Sequence, residues 1–138
     1  MTVTTHSAAE TEQFAADFAL TLPGGACVAL FGDLGAGKTA LVRGLARGLG
    51  ISETVSSPTY ALVREYHGQG VALAHFDMYR VTTWADLESC GFMEALESDA
   101  YLAVEWSENI VHALPPDCVR VHIARGTDDQ TRVIELAD

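Results

Sequence analysis

Short runs of consecutive apolar residues alternate along this chain with segments in which apolar residues recur every three or four positions. The runs at 26–31 (ACVALF) and 101–106 (YLAVEW) are typical of strands buried on both faces of a sheet. The helical spacing predicts one helix over about residues 8–20 and another from about 38 to 49. Gly50 is expected to end the second helix, because glycine readily adopts the left-handed conformation found after helix ends.

The other elements predicted by this pattern are hairpins and a short helix. Four strands form two hairpins, 60–67 with 71–78 around GQG and 119–125 with 131–137 around GTDDQ. A short helix is expected within 83–92, stopped by Gly91, with another turn or two before Asp99. Ser7 followed by Glu10 has the spacing that begins a helix. A β-α-β order followed by hairpins predicts an α/β fold with a mixed parallel and antiparallel sheet flanked by helices.

Composition fits one domain spanning 1–138. A hydrophobic share of 49% supplies a core, and no apolar run approaches the roughly 18 residues of a membrane span. The first residues lack the basic and apolar regions of a signal peptide. Cys27, Cys90 and Cys118 lack the spacing of a zinc site or of a disulfide framework, so we expect reduced thiols in the cytoplasm.

The charge balance argues against direct binding to nucleic acid. Eight basic and nineteen acidic side chains give a formal charge of 8 − 19 = −11. Such a charge repels a phosphate backbone over much of the surface. Any RNA involved in the function is therefore expected to be held by a partner protein.

Residues 32–39, GDLGAGKT, match the phosphate-loop pattern G-x-x-x-x-G-K-T and lie between the predicted strand and the predicted helix. Small residues let backbone N–H groups line a cavity for phosphate, and the helix N-terminus adds its dipole. Lys38, the only lysine in the chain, is placed to reach the β- and γ-phosphates, and the Thr39 hydroxyl is placed to bind Mg²⁺. The expected nucleotide-binding residues are Gly32, Asp33, Leu34, Gly35, Ala36, Gly37, Lys38, Thr39 and Ala40.

The base of the nucleotide is inferred by elimination. Ras-type GTPases read guanine with the motif N-K-x-D, and this chain has one asparagine, Asn109, far from its one lysine, Lys38. The motif is therefore absent. ATP is the expected nucleotide.

Two acidic residues end apolar strands and are candidates for a Mg²⁺ site: Asp77 in VALAHFDMYR and Glu105 in YLAVEWSE. A carboxylate beside a phosphate loop binds the metal directly or through water, or orients the attacking water. The residues alone do not decide between the two acids. His75 shares a strand face with Asp77, and we interpret it as a packed strand histidine in preference to a hydrogen-bonding partner of the site.

The segment SSPTY at 56–60 follows the predicted phosphate-loop helix, where related folds place a switch. Pro58 keeps Ser57 out of a helix, which leaves the hydroxyls of Ser57 and Thr59 free to face a γ-phosphate. An ordinary Ser-Pro turn explains the same residues. Both interpretations stay open at this point.

In this order and spacing, GDLGAGKT, SPTYALVREY, HFDMYR and VEWSE closely resemble the TsaE family of small bacterial P-loop ATPases, over about residues 7–135. These proteins are needed for the threonylcarbamoyladenosine modification of tRNA. The resemblance implies a P-loop NTPase fold with a mixed sheet and weak Mg²⁺-dependent ATP hydrolysis. It also implies docking on a transferase heterodimer, the TsaB and TsaD homologues, which hydrolysis resets between turnovers.

The resemblance also implies roles for individual residues. Thr39 and Glu105 become Mg²⁺ ligands, and Asp77 becomes an essential acid near the metal. With Lys38, the two acids are the expected catalytic residues. The remaining carried-over positions are the switch at Ser57–Thr59, Trp106 near the nucleotide or partner face, and Thr11 and Arg132 near adenine or phosphate. Ser107 departs mildly from the usual motif.

Two other functions remain open on the sequence. A small-molecule kinase shares the phosphate loop, but no closely spaced arginine pair follows the core strands. A nucleotide-gated binding module, whose hydrolysis is incidental, uses the same residues as a slow ATPase. Arg80 is equally compatible with a phosphate contact and a surface salt bridge.

Overall fold

A mixed sheet with helices on both faces makes up the computed structural model, which describes residues 1–32, 37–55 and 63–137. Within those ranges the strands are β1 (Thr2–Thr5), β2 (Cys27–Phe31), β3 (Val63–Gly68), β4 (Val71–Asp77), β5 (Tyr101–Glu105), β6 (Val119–Arg125) and β7 (Arg132–Ala137). The helices are α1 (Ala8–Ala19), α2 (Lys38–Gly48), α3 (Trp84–Ser89), α4 (Phe92–Glu97) and a 3₁₀ segment at Ser107–Ala113.

The strand order is β1-β7-β6-β2-β5-β4-β3, with parallel pairing at the centre and antiparallel pairing at both edges. Strands β6, β2, β5 and β4 are parallel neighbours, while β7 and β1 extend one side and β3 the other. The predicted mixed sheet is confirmed. Because parallel strands end at the same edge, the residues that follow β2, β4 and β5 are brought together there.

The two faces of the sheet carry different layers. Helices α1 and α2 cover one face, where Leu41 and Val42 of α2 join strand residues such as Leu30 in one buried cluster. Helices α3 and α4 cover the other face, where Leu87 and Phe92 join a second cluster. Alternate strand residues feed the two clusters, as the twofold period of a strand requires.

Helix α2 is held in place by close packing on α1. A Cβ added to Gly44 would lie 2.2 Å from the carbonyl oxygen of Glu12, and one added to Gly48 would lie 2.3 Å from that of Ala16. The helix then ends where predicted. Gly50, at φ +85°, donates to the Arg47 carbonyl, which is one of the two hydrogen bonds of a glycine-terminated helix.

Several local predictions are confirmed by the structure. The hydroxyl of Ser7 accepts a hydrogen bond from the backbone N–H of Glu10 at the start of α1. Both predicted hairpins form, β3 with β4 and β6 with β7, although the predicted start of β3 at 60–62 lies outside the described residues. The three cysteines are free thiols.

The sequence pattern missed two elements. Strand β1 has only four residues, three of them threonine, and it forms by pairing with β7 at the far end of the chain. The apolar residues of the 3₁₀ segment show no clear helical spacing, because the segment contains a kink at Ile110. In the part of the chain that is described, no helix has both the length and the apolar character needed to cross a membrane.

Candidate nucleotide-binding site

The two ends of the glycine loop lie between the end of β2 and the start of α2. A Cβ on Gly32 would lie 2.4 Å from the carbonyl oxygen of Ile123 in β6, so the close approach of that strand requires glycine here. Gly37, at φ +102°, forms the N-cap of α2. Its left-handed conformation also favours glycine. The loop residues between them, Asp33, Leu34, Gly35 and Ala36, lie outside the described residues.

Lys38 is the first residue of α2 and its side chain points back across the loop. Only 5% of the residue is exposed, and Nζ lies 2.7 Å from the carbonyl oxygen of Gly32. The same ammonium lies 4.1 Å from the centroid of the Trp106 ring, at cation–π distance. Burial of an ammonium is costly without such partners. The lysine is therefore held in place at the mouth of the loop.

Trp106 faces Lys38 because the backbone turns sharply after β5. Among the described residues it is the single non-glycine residue with positive φ, at +57°. The predicted strand over 101–106 is therefore wrong at its last residue, since the left-handed conformation ends the strand at Glu105. The Trp106 ring also lies 4.9 Å from the ring of Tyr79, which is largely exposed.

Asp77 and Glu105 lie opposite each other at the ends of β4 and β5. Glu105 is buried, with 6% of the residue exposed. Asp77 is half-buried and accepts a hydrogen bond from the backbone N–H of Tyr79. The structure therefore brings both predicted acids to the edge of the sheet where the glycine loop begins.

His75 connects to this pair from inside the sheet. The residue is completely buried, and its Nε2 lies 2.5 Å from Oε2 of Glu105. From the sequence alone, His75 is interpreted as a packed histidine. That interpretation agrees with the burial, but it does not predict the hydrogen bond to Glu105. The sequence placed His75 on the face of Asp77, but only the pairing of β4 with β5 places it beside Glu105.

The donor set at this edge fits a metal-bound nucleotide. Thr39 follows Lys38 in the first turn of α2, at the positive end of the helix dipole. Hydroxyl and carboxylate oxygens are ligands that Mg²⁺ prefers, and backbone amides with a lysine suit phosphate. Ala40 is buried in the same turn, so its part in a phosphate site would be its backbone N–H. Ser57 and Thr59, the predicted switch, lie outside the described residues.

Arg132, which the resemblance placed near adenine or phosphate, has its side chain beside Gly37. A Cβ on Gly37 would lie 3.4 Å from its Nε, and its Nη1 donates to the carbonyl oxygens of Asp129 and Thr131. Thr11 is further back. It is 1% exposed, and its hydroxyl lies 2.6 Å from that of Thr5, the register partner of Arg132.

Two further residues at the site escaped the sequence analysis. Glu108 accepts a hydrogen bond from the backbone N–H of Gly32 at 3.1 Å. Its position three residues after Glu105, in EWSE, was the sequence feature that could have identified it. Asn109 donates to the carbonyl oxygens of Met78 and Tyr79 and so ties the turn after β4 to the 3₁₀ segment. No sequence signal marked Asn109.

Two clefts on the described surface bear on the choice of site. One, of about 630 Å³, borders the site and is lined by Tyr79, Val81, Thr82, Trp106 and Asn109. The other, of about 830 Å³, lies at the opposite end of the strands, where Val71 and Tyr101 begin β4 and β5. The larger cleft contains none of the predicted site residues. The chemistry of the site, and not cleft size, therefore identifies the candidate.

Comparisons with known proteins point to one family. The sequence model described as "Threonylcarbamoyl adenosine biosynthesis protein TsaE" matches residues 5–134. The chain is 43% identical over 109 residues to the tRNA threonylcarbamoyladenosine biosynthesis protein TsaE of Haemophilus influenzae, covering 79% of this chain and 68% of that protein. It is 36% identical over 137 residues to the protein of the same name from Treponema pallidum, covering 99% and 100%.

The fold also matches a solved structure. The crystal structure of YdiB from Bacillus subtilis superimposes with a TM-score of 0.82 at 31% identity, covering 99% of this chain and 84% of that one. Similarity therefore extends over the whole sheet and is not limited to the glycine loop.

Proposed function

The chain belongs to the TsaE family of threonylcarbamoyladenosine biosynthesis proteins, and from this premise we propose that it is the ATP-hydrolysing component of that tRNA modification machinery. Residues 1–138 act as one domain in this proposal. Hydrolysis is weak in the isolated chain. It resets the transferase heterodimer, formed by TsaB and TsaD homologues, between turnovers.

The observation that carries the proposal is the placement of Lys38. The chain has one lysine, and it is buried at the N-terminus of α2 with its ammonium at the mouth of the glycine loop. The lysine of a phosphate loop binds phosphate as a compact point charge, which a guanidinium fork does not reproduce. Its contacts with Gly32 and Trp106 keep the side chain ordered until phosphate replaces them.

The chain's own residues divide the remaining work between nucleotide and metal. Thr39, Asp77 and Glu105 would hold Mg²⁺, with Asp77 and Glu105 at the ends of adjacent strands. Bound Mg²⁺ neutralises charge on the phosphates. Arg132 supplies a second positive charge beside Gly37, and Trp106 supplies an aromatic surface over the lysine. Ser57 and Thr59 complete the proposal as the nucleotide-sensing switch.

The charge of the chain supports an indirect relation to RNA. At −11 the surface repels tRNA, so we propose that tRNA is held by the transferase heterodimer. Docking on that heterodimer in the cytoplasm would depend on the bound nucleotide. The exposed Tyr79 beside Trp106 supports a docking surface that senses the site.

The test is reconstituted tRNA modification over many turnovers. Omission of this protein, or its replacement by Lys38→Ala, should leave the first turnover and stop later ones. Arg43→Ala is the matched control, because Arg43 is an exposed cation on the same helix. Later turnovers that proceed normally with Lys38→Ala would contradict the proposal.

The same preparation separates the alternative functions. Phosphate released to water supports the ATPase, whereas phosphate on a metabolite would indicate a small-molecule kinase. A Glu105→Gln variant that binds ATP and still supports many turnovers would indicate gating by binding alone. A failure to associate with the heterodimer at saturating ATP would remove the protein from this pathway.

A further inference from the structure

We propose that His75 is a positioning residue that orients the Glu105 carboxylate for the metal of the nucleotide. The inference rests on the proposed function, because it takes Glu105 as a metal ligand. It assigns a role to a residue whose sequence context allowed simple packing. The bond between Nε2 of His75 and Oε2 of Glu105 is the observation from which it starts.

The bond crosses between neighbouring strands on one face of the sheet. In the β4–β5 register His75 is opposite Ala103, and Asp77 is opposite Glu105. His75 and Glu105 are therefore diagonal neighbours on that face, a separation that long side chains can bridge. Ala103 between them is small and fully buried, which leaves room for the imidazole to reach along the strand.

Burial makes this bond a specific feature and not a surface contact. His75 is 0% exposed and Glu105 is 6% exposed. A buried carboxylate without a partner is strongly destabilising, so its position follows that of the group that donates to it. The imidazole holds one oxygen of the Glu105 carboxylate and so restricts rotation of the group. The other oxygen is then available to the site in a fixed orientation.

The two ring nitrogens of His75 indicate which atom donates in the bond to Glu105. No hydrogen-bond partner for Nδ1 of His75 exists among the residues that the structure describes. A carboxylate only accepts hydrogen bonds, so we assign the ring proton to Nε2. If the ring were there only to fill space, an apolar side chain would do so without burying two nitrogens. The hydrogen bond of Nε2 to Glu105 is therefore the polar contact that the histidine provides.

Three substitutions separate this role from packing. In His75→Gln the amide nitrogen lies two bonds from Cγ, as Nε2 does, so the donor to Glu105 is kept. In His75→Asn the amide nitrogen lies one bond from Cγ, where it resembles Nδ1 and falls short. His75→Leu keeps apolar volume and removes the donor. Leu73→Ala, two residues earlier on the same face, is a control that weakens the core away from the site.

The experiment measures binding of a non-hydrolysable ATP analogue by calorimetry, once with Mg²⁺ and once with chelator. The quantity compared is the affinity with Mg²⁺ divided by the affinity with chelator. His75→Leu and His75→Asn should lower this ratio about tenfold or more, as loss of groups behind metal ligands commonly does. His75→Gln should stay within about threefold of wild type, and Leu73→Ala should lower stability without changing the ratio. Should His75→Leu fail to fold, the comparison of His75→Asn with His75→Gln decides.

A second measurement needs no ligand. Long-range proton–nitrogen NMR spectra of the ligand-free protein, with His75 identified by its loss in His75→Gln, should show the proton on Nε2. A proton on Nδ1 alone would overturn the inference. So would equal Mg²⁺ ratios in wild type, His75→Leu and His75→Asn. A wild-type protein that binds nucleotide equally with and without Mg²⁺ would instead remove the metal from the proposed function, and the role of His75 with it.

Discussion

The ammonium of Lys38 lies 4.1 Å from the centroid of the Trp106 ring and 2.7 Å from the carbonyl oxygen of Gly32. In this structure, the ammonium of Lys38 is therefore held by contacts within the protein. Both contacts come from residues that directly follow strands of the same sheet, Gly32 after β2 and Trp106 after β5. Under the proposed function, nucleotide phosphate would replace both contacts, and this exchange can be followed.

Trp106 should report nucleotide binding through its fluorescence. Under the proposed function, binding would draw the Lys38 ammonium from the ring to the phosphates and so change the environment of the indole. Trp84→Phe leaves Trp106 as the single tryptophan of the two in the chain. We expect its emission to change with saturating ATP, and Lys38→Met to abolish that response. An unchanged emission in Trp84→Phe, with calorimetry showing bound nucleotide, would contradict the exchange.

Arg132→Ala should weaken ATP binding about tenfold or more, because a charge-assisted contact with phosphate contributes about 1.5–3 kcal/mol. Calorimetric titration provides the measurement. Arg125→Ala is the matched control, since Arg125 is the exposed register partner of Arg132 in the β6–β7 hairpin and is not among the nearest neighbours found for Gly32 or Gly37. Equal losses in the two variants would indicate a general charge effect.

Gly44→Ala should lower the free energy of unfolding by about 1–3 kcal/mol, which is typical of overpacking. The new methyl would lie 2.2 Å from the Glu12 carbonyl oxygen and would push α2 away from α1. Denaturant unfolding measures the loss. Gly24→Ala is the control, because a Cβ there has nothing within 4 Å and the stability should stay nearly unchanged. An equal loss in both would mean that the helices do not pack this closely.

Asp86 should make the start of α3 sensitive to acid. A hydrogen bond from the backbone N–H of Thr82, supported by Thr83, lowers the pKa of Asp86 from its ordinary value. Because the folded-state pKa lies below that of the unfolded chain, this carboxylate stabilises the fold above about pH 4. The contribution is lost as the pH falls through the folded-state pKa.

The measurement is the free energy of unfolding of wild type and Asp86→Asn between about pH 6 and pH 2. The advantage of wild type should be present at the upper end and shrink at the lower end. Glu97→Gln is measured beside it, because it removes one carboxylate at the exposed end of α4 and so corrects for the change in net charge. An advantage of wild type that grows with acidity would contradict the sign of the pKa shift.

Local sequence was sufficient for much of the fold and for part of the site. The apolar runs, the glycine at the end of α2 and the Ser7 cap act over a few residues, so they can be read directly. The phosphate-loop motif belongs to the same class, because its glycines and its lysine lie within residues 32–39. Strand β1 could not be predicted, since its four residues depend on a partner more than a hundred positions away.

The sequence by itself determined which groups are available: one lysine in a glycine loop, two acids at strand ends and a histidine two residues before one of them. Tertiary structure decided which of these groups meet. The pairing of β4 with β5 places His75 on Glu105, and the left-handed turn after β5 places the Trp106 ring on Lys38. Periodicity describes how each strand presents its own side chains, whereas contact between strands depends on register and on backbone direction at strand ends.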